Sequence, residues 1–146
     1  MPRIERTADL VWEGNVARGT GSITGQSGAF TSLPFSLPSR IGAPGGKTSP
    51  EELLASAHGG CLTMSLATEL TQAGTPPGRL DVSCRIVMDE VPGEGHQIVA
   101  SQVTIRATVD GLDDAVLAAA IERADAGCPF STLLRNAGVT VEIQRA

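Results

Sequence analysis

Residues 79–91 alternate strictly. Leu80, Val82, Cys84, Ile86 and Met88 fall on one face, and Asp81, Ser83 and Arg85 on the other. Residues 99–109 do the same, with Val103, Ile105, Ala107 and Val109 set against Gln102, Thr104, Arg106 and Thr108. A period of two marks strands with one buried face. Pro92-Gly93-Glu94-Gly95-His96 lies between the two runs, so a long antiparallel hairpin is predicted. Residues 9–16, 18–24 and 30–36 read as three shorter strands of an N-terminal meander, and residues 139–144 as a last strand. Residues 37–47 are dense in Pro and Gly and read as a loop.

The helical signals lie between these runs. Ser49 can cap a helix, Pro50 suits its first position, and Glu52 completes a capping box. An apolar run follows to about Ala73, where Gly74 and Pro76-Pro77 stop it. Its apolar residues (Leu53, Leu54, Ala55, Ala57, Cys61, Leu62, Met64, Leu66, Ala67, Leu70) cover most of the helix circumference. Such a helix is expected to be buried, and this one is too short and too interrupted to span a bilayer. Residues 113–126 predict a second helix, with Asp113 and Asp114 in its first turn and Gly127 at its end. Residues 129–136 predict a short third helix closed by Gly138. Strands clustered around helices, instead of alternating with them, indicate an α+β fold.

With 146 residues and 41% hydrophobic content, one domain over 1–146 is expected, with a core of its own. The net charge of −5 argues against nucleic acid and anionic membrane partners. One Trp, three Phe and no Tyr leave no stacking platform for bases. The charged first residues lack the apolar stretch of a signal peptide. Three cysteines are too few for a disulfide scaffold, and a reducing, cytoplasmic compartment is expected.

Two of those cysteines are framed by distinct sequences. Cys61 follows Ala57-His58-Gly59-Gly60 deep in the long helix, and Cys128 sits in Ala126-Gly127-Cys128-Pro129, where one helix stops and another starts. The plain reading of Cys61 is a small core hydrophobe. A reactive reading needs a cation brought to it, because the helix dipole fades within the first turn. Arg40 is a candidate: it is always charged and can fork two hydrogen bonds. Glu52 has a sufficient role in the capping box. Glu51 remains to orient a guanidinium, since a carboxylate at the sulfur itself would oppose the thiolate. Cys128 is either a tight-turn residue or a thiol close to backbone N–H groups at a helix start. Cys84, on the inward side of a strand, reads as core. His58, one turn before Cys61, allows a Cys–His nucleophile or a metal site with Cys61 and Cys128. The first lacks an oxyanion loop, and the second lacks the spacing typical of zinc. His96, in the hairpin turn, reads as solvated.

These residues resemble the OsmC/Ohr family, the osmotically inducible protein C and organic hydroperoxide resistance proteins. The resemblance rests on Trp12-Glu13-Gly14, Ser49-Pro50-Glu51-Glu52-Leu53-Leu54, Ala57-His58, Cys61 and Ala126-Gly127-Cys128-Pro129, and covers nearly the whole chain. It implies an OsmC-like α+β fold: antiparallel sheets around a long buried central helix in an intertwined homodimer. It implies a thiol peroxidase acting on organic hydroperoxides, with hydrogen peroxide a second candidate substrate. Cys61 matches the peroxidatic cysteine, Cys128 the resolving one and Glu51 the glutamate that holds an arginine. Arg40, in the loop before the long helix, matches the OsmC-like branch. Arg18, in Ala17-Arg18-Gly19, is the alternative, since Ohr-like members carry the arginine in an early strand.

The implied cycle needs no cofactor and no metal. Its partners are the organic hydroperoxide and an external dithiol, lipoyl-type dithiols included. The same fold could instead serve a non-catalytic redox sensor or small-ligand module.

Overall fold

Glycines and prolines divide the first part of the chain into short pieces. In a computed structural model, which describes residues 2–146, β1 (Ala8–Glu13), β2 (Thr20–Gly25) and β3 (Leu33–Phe35) form an antiparallel meander in that order. β1 ends where Gly14 turns into the left-handed region at φ 91°. Gly21 lets the Phe35 ring lie directly on β2, because a Cβ there would fall 2.3 Å from a ring carbon. The Trp12 and Phe35 rings meet at 5.7 Å between centroids.

The stretch expected to be only loop contains a helical turn, α1 (Leu37–Ile41). The Ser36 hydroxyl accepts from the Ser39 N–H, and Pro38 sits in the first turn. The residue that argued for a loop is one a helix start tolerates, since its missing N–H would have been unpaired there anyway.

α2 (Pro50–Gln72) runs for 23 residues. It ends at Gly74, whose φ of 79° lets the Thr75 N–H return to the Leu70 carbonyl at 2.9 Å. Within the single chain its burial follows one face. His58, Gly59, Leu62, Leu66 and Leu70 are its buried residues, a single stripe along one face. Met64 is 68% exposed. Much of the apolar character on the other faces comes from alanines, which pack without demanding full coverage.

β4 (Arg79–Val91) and β5 (Gly95–Thr108) form the predicted hairpin, with the register slipping between Val87 and Met88. Ser101, Val103 and Ile105 point inward from β5, in step with the alternation. β6 (Thr140–Arg145) lies on the other side of β5 and pairs with it in parallel. This sheet is therefore mixed, not antiparallel. Between β5 and β6 the chain passes through α3 (Asp114–Gly127) and α4 (Pro129–Asn136), a crossover that returns it to the starting end of β5. Asp113 caps α3 by accepting the Ala115 N–H at 2.8 Å. Cys128 closes α3 and opens α4.

The core joins Leu62, Leu66 and Leu70 of α2 to Val103 and Ile105 of β5, and both to Leu117, Ala120, Ile121 and Ala124 of α3. All of these lie in the second of two compact units, Glu51–Ala146; the first ends at Pro50. Among the described residues no helix is long and apolar enough to cross a membrane.

Candidate active site

Helix α2 carries Cys61 to the margin of this core, where the thiol is half-buried. The junction of α3 and α4 brings Cys128 to the same place, with no exposed surface. The two thiols lie close enough to interact, and all three cysteines are free. Cysteines 61 and 128 are thus neighbours across two elements far apart in sequence.

The surroundings of Cys61 pull in opposite directions. Burial raises the thiol above its ordinary value, and Cys128 raises it further. The nearby Phe130 backbone N–H and Ser65 hydroxyl lower it, without reversing the net upward shift. Phe130 follows Pro129 in the first turn of α4, where N–H groups have no partner within the helix. The helix start was expected to serve Cys128. It serves Cys61, and Cys128 makes no side-chain capping bond to α4. Ser65 and the Phe130 N–H were not singled out from the sequence. Ser65 stands one helical turn after Cys61, which is a usable signal, whereas a backbone donor leaves none.

His58 bonds two serine hydroxyls, and the Cys84 sulfur lies 3.9 Å from its Nδ1. Its ring is fully buried, with Nδ1 at 2.6 Å from the Ser101 hydroxyl and Nε2 at 2.8 Å from the Ser131 hydroxyl. Both nitrogens are thereby committed. Burial lowers its pKa, against the pull of Asp125 and with a smaller push from Arg135, so the ring is neutral near pH 7. Cys84 packs against the core, and its sulfur lies 3.4 Å from the Ser101 hydroxyl. The Cys128 turn is braced by a forked ion pair, Arg135 to Asp125, at 3.0 and 2.6 Å. His96 is exposed at the start of β5.

Glu51 and Glu52 stand in the first turn of α2. Arg40 and Arg18 belong to the first unit. Arg40 lies on α1 beside a cavity of about 120 Å³ that Trp12, Val16, Phe35 and Leu37 also line. Arg18 is exposed in the turn after β1, its backbone N–H donating to Asn15.

Residues 43–144 match the family model described as OsmC-like protein. Peroxiredoxin OsmC of Escherichia coli (strain K12) is 32% identical over 141 residues, covering 97% of this chain and 96% of that protein. An organic hydroperoxide resistance protein of Xanthomonas axonopodis pv. citri (strain 306) is 31% identical over 112 residues, covering 75% and 76%. The crystal structure of an organic hydroperoxide resistance protein OsmC from Legionella pneumophila superposes with a TM-score of 0.72 at 20% identity, covering 99% of both chains. That likeness extends to the fold, and the family match and the closeness of the Escherichia coli protein extend further: this chain belongs to the OsmC-like protein family.

Proposed function

We propose that the protein is a cysteine peroxidase that reduces organic hydroperoxides to alcohols. The observation that carries this reading is the adjacent pair of free thiols, Cys61 and Cys128, brought together from α2 and the α3–α4 junction. The names of the relatives, peroxiredoxin and organic hydroperoxide resistance protein, agree with it.

The Cys61 thiolate attacks the distal peroxide oxygen. The O–O bond breaks, the alkoxide takes a proton and leaves as alcohol, and sulfur is oxidised to a sulfenic acid. The Cys128 sulfur then attacks that sulfur, the S–O bond breaks, and hydroxide leaves as water with the thiol proton. An external dithiol, lipoyl-type dithiols included, reduces the disulfide to two thiols and is itself oxidised. Because burial and Cys128 hold the Cys61 thiol up, a cation must offset them for reaction at neutral pH. Arg40 is assigned that role, Glu51 the role of orienting it, and Arg18 is the alternative. The working form in this reading is a homodimer, which would cover apolar residues such as Met64, 68% exposed on α2. Three free thiols suit a reducing, cytoplasmic setting.

The test is turnover of cumene hydroperoxide with dihydrolipoamide as reductant. Wild type should consume many equivalents per chain, and Cys61→Ser none. Consumption of about one equivalent, with reductant present, would identify a redox sensor instead. Light scattering should give twice the chain mass of 15.0 kDa.

A further inference from the structure

The two elements that carry the reactive cysteines are tied together by a buried imidazole. His58 lies on α2, one turn before Cys61, and Ser131 lies on α4, three residues after Cys128. The His58 Nε2 to Ser131 Oγ distance is 2.8 Å, and Nδ1 is 2.6 Å from Ser101 Oγ on β5. His58, Ser101 and Ser131 each have 0% exposure. A buried imidazole is costly unless both nitrogens are engaged. Here both are, in either tautomer, because a serine hydroxyl can donate or accept. Apolar side chains could fill the same volume, but they would leave α4 free to slide or rotate by small amounts. A hydrogen bond is directional and removes that freedom.

We propose that His58 is a positioning residue: through Ser131 it holds the start of α4 so that Cys128 stays aligned with Cys61 for disulfide closure. The proposal rests on the peroxidase reading. The step served is attack of the Cys128 sulfur on the Cys61 sulfenic sulfur, which forms the S–S bond, breaks the S–O bond and releases water. That attack depends on placement of one sulfur behind another. Oxidation of Cys61 by peroxide makes no bond to Cys128, which bears on that step only through the Cys61 pKa. The tether should therefore act far more on the second step than on the first.

Three variants separate the bond from the bulk. Ser131→Ala removes the hydroxyl end of the bond. His58→Gln places an amide nitrogen near the Nε2 position and can keep the bond to Ser131. His58→Asn reaches only the Nδ1 position and can keep Ser101 alone. Each reduced protein is mixed with one equivalent of cumene hydroperoxide and quenched at intervals. Mass spectrometry then follows trapped Cys61 sulfenic acid and the Cys61–Cys128 disulfide. Sulfenic acid should form on Cys61 in all three, at a rate changed far less than that of disulfide closure. Its conversion to disulfide should slow by about tenfold or more in Ser131→Ala and His58→Asn, the scale set by one buried hydrogen bond. Conversion in His58→Gln should stay near wild type. Wild-type closure in Ser131→Ala overturns the proposal, and so does His58→Gln closing as slowly as His58→Asn, which would reduce His58 to a packing residue. A Cys128→Ser protein that yields no sulfenic acid on Cys61 overturns the peroxidase reading itself, and this proposal with it.

Discussion

Leu66 offers a direct measure of how much the α2 stripe contributes to stability. Its side chain has 0% exposure and packs in the cluster with Val103, Ile105 and the α3 residues. Leu66→Ala removes three carbons from that cluster. At about 0.8 kcal/mol for each buried carbon, the transfer loss alone is roughly 2.4 kcal/mol. Neighbours on a helix and a strand cannot fully collapse into the gap, so a cavity term adds to this. A total of about 3–4 kcal/mol is expected, within the range for such truncations. Alanine's better helix propensity returns only a few tenths of that. For a chain of this length each kcal/mol is worth about 3–4 °C in melting temperature, so a fall of about 10 °C should follow. The control is Thr68→Ala, on the exposed side of the same helix, where the hydroxyl bonds only the Met64 carbonyl at 2.9 Å. It should stay within about 0.5 kcal/mol of wild type. Urea unfolding of the reduced proteins, at one fixed protein concentration, gives both numbers. A Leu66→Ala loss below about 1 kcal/mol, or one no larger than the control's, would refute the reasoning, because that stripe could not then be the packed face.

Gly59 and Gly60 are adjacent on α2 but should respond oppositely to alanine. A Cβ at Gly59 would meet the Cys84 Cβ at 3.1 Å, an atom fixed to strand backbone, while one at Gly60 meets nothing within 4 Å. Gly60→Ala should stabilise by up to about 1 kcal/mol through helix propensity, and Gly59→Ala should be the less stable of the two in the same unfolding assay. Cys61 should make stability depend on pH. Its folded value is raised by burial and by Cys128, so its contribution is complete below the unfolded value of about 8.5 and lost as pH rises through the folded value. The urea midpoint of the reduced wild type should fall relative to Cys61→Ala above about pH 9, and parallel curves would contradict the assignment. Arg40→Ala should raise the Cys61 pKa further, read from ultraviolet thiolate absorbance, and slow peroxide reduction at neutral pH. Wild-type kinetics would move the role to Arg18 or remove it.

Punctuation residues made parts of the fold legible. Pro129 and Asn136 bound α4 as the sequence indicated, and the 79–91 strand was legible from alternation alone. The direction of β6 was not, because a period-two pattern reads the same in either orientation. Only the path of the crossover decides it. α1 was hidden because Pro38 is compatible with both loop and first helical turn.

For the site, the two cysteine frames singled out two thiols that the fold brings together. The partners of His58 could not be read, since Ser101 and Ser131 lie 43 and 73 residues away and serines carry no distinguishing pattern.

The parallel pairing of β6 with β5 has a consequence for how the chain is made. The N-terminal meander closes within its first 35 residues, whereas β5 ends at Thr108 and gains its second neighbour only when Thr140–Arg145 arrives. At a synthesis rate of roughly 5–20 residues per second, that edge stays open for about two to seven seconds on the ribosome. During this interval Val103 and Ile105 belong to a strand with an unpaired row of N–H and C=O groups, a template for pairing with another nascent chain. The last six strand residues thus act as an edge cap, and a chain cut short before Thr140 would leave that template permanently exposed.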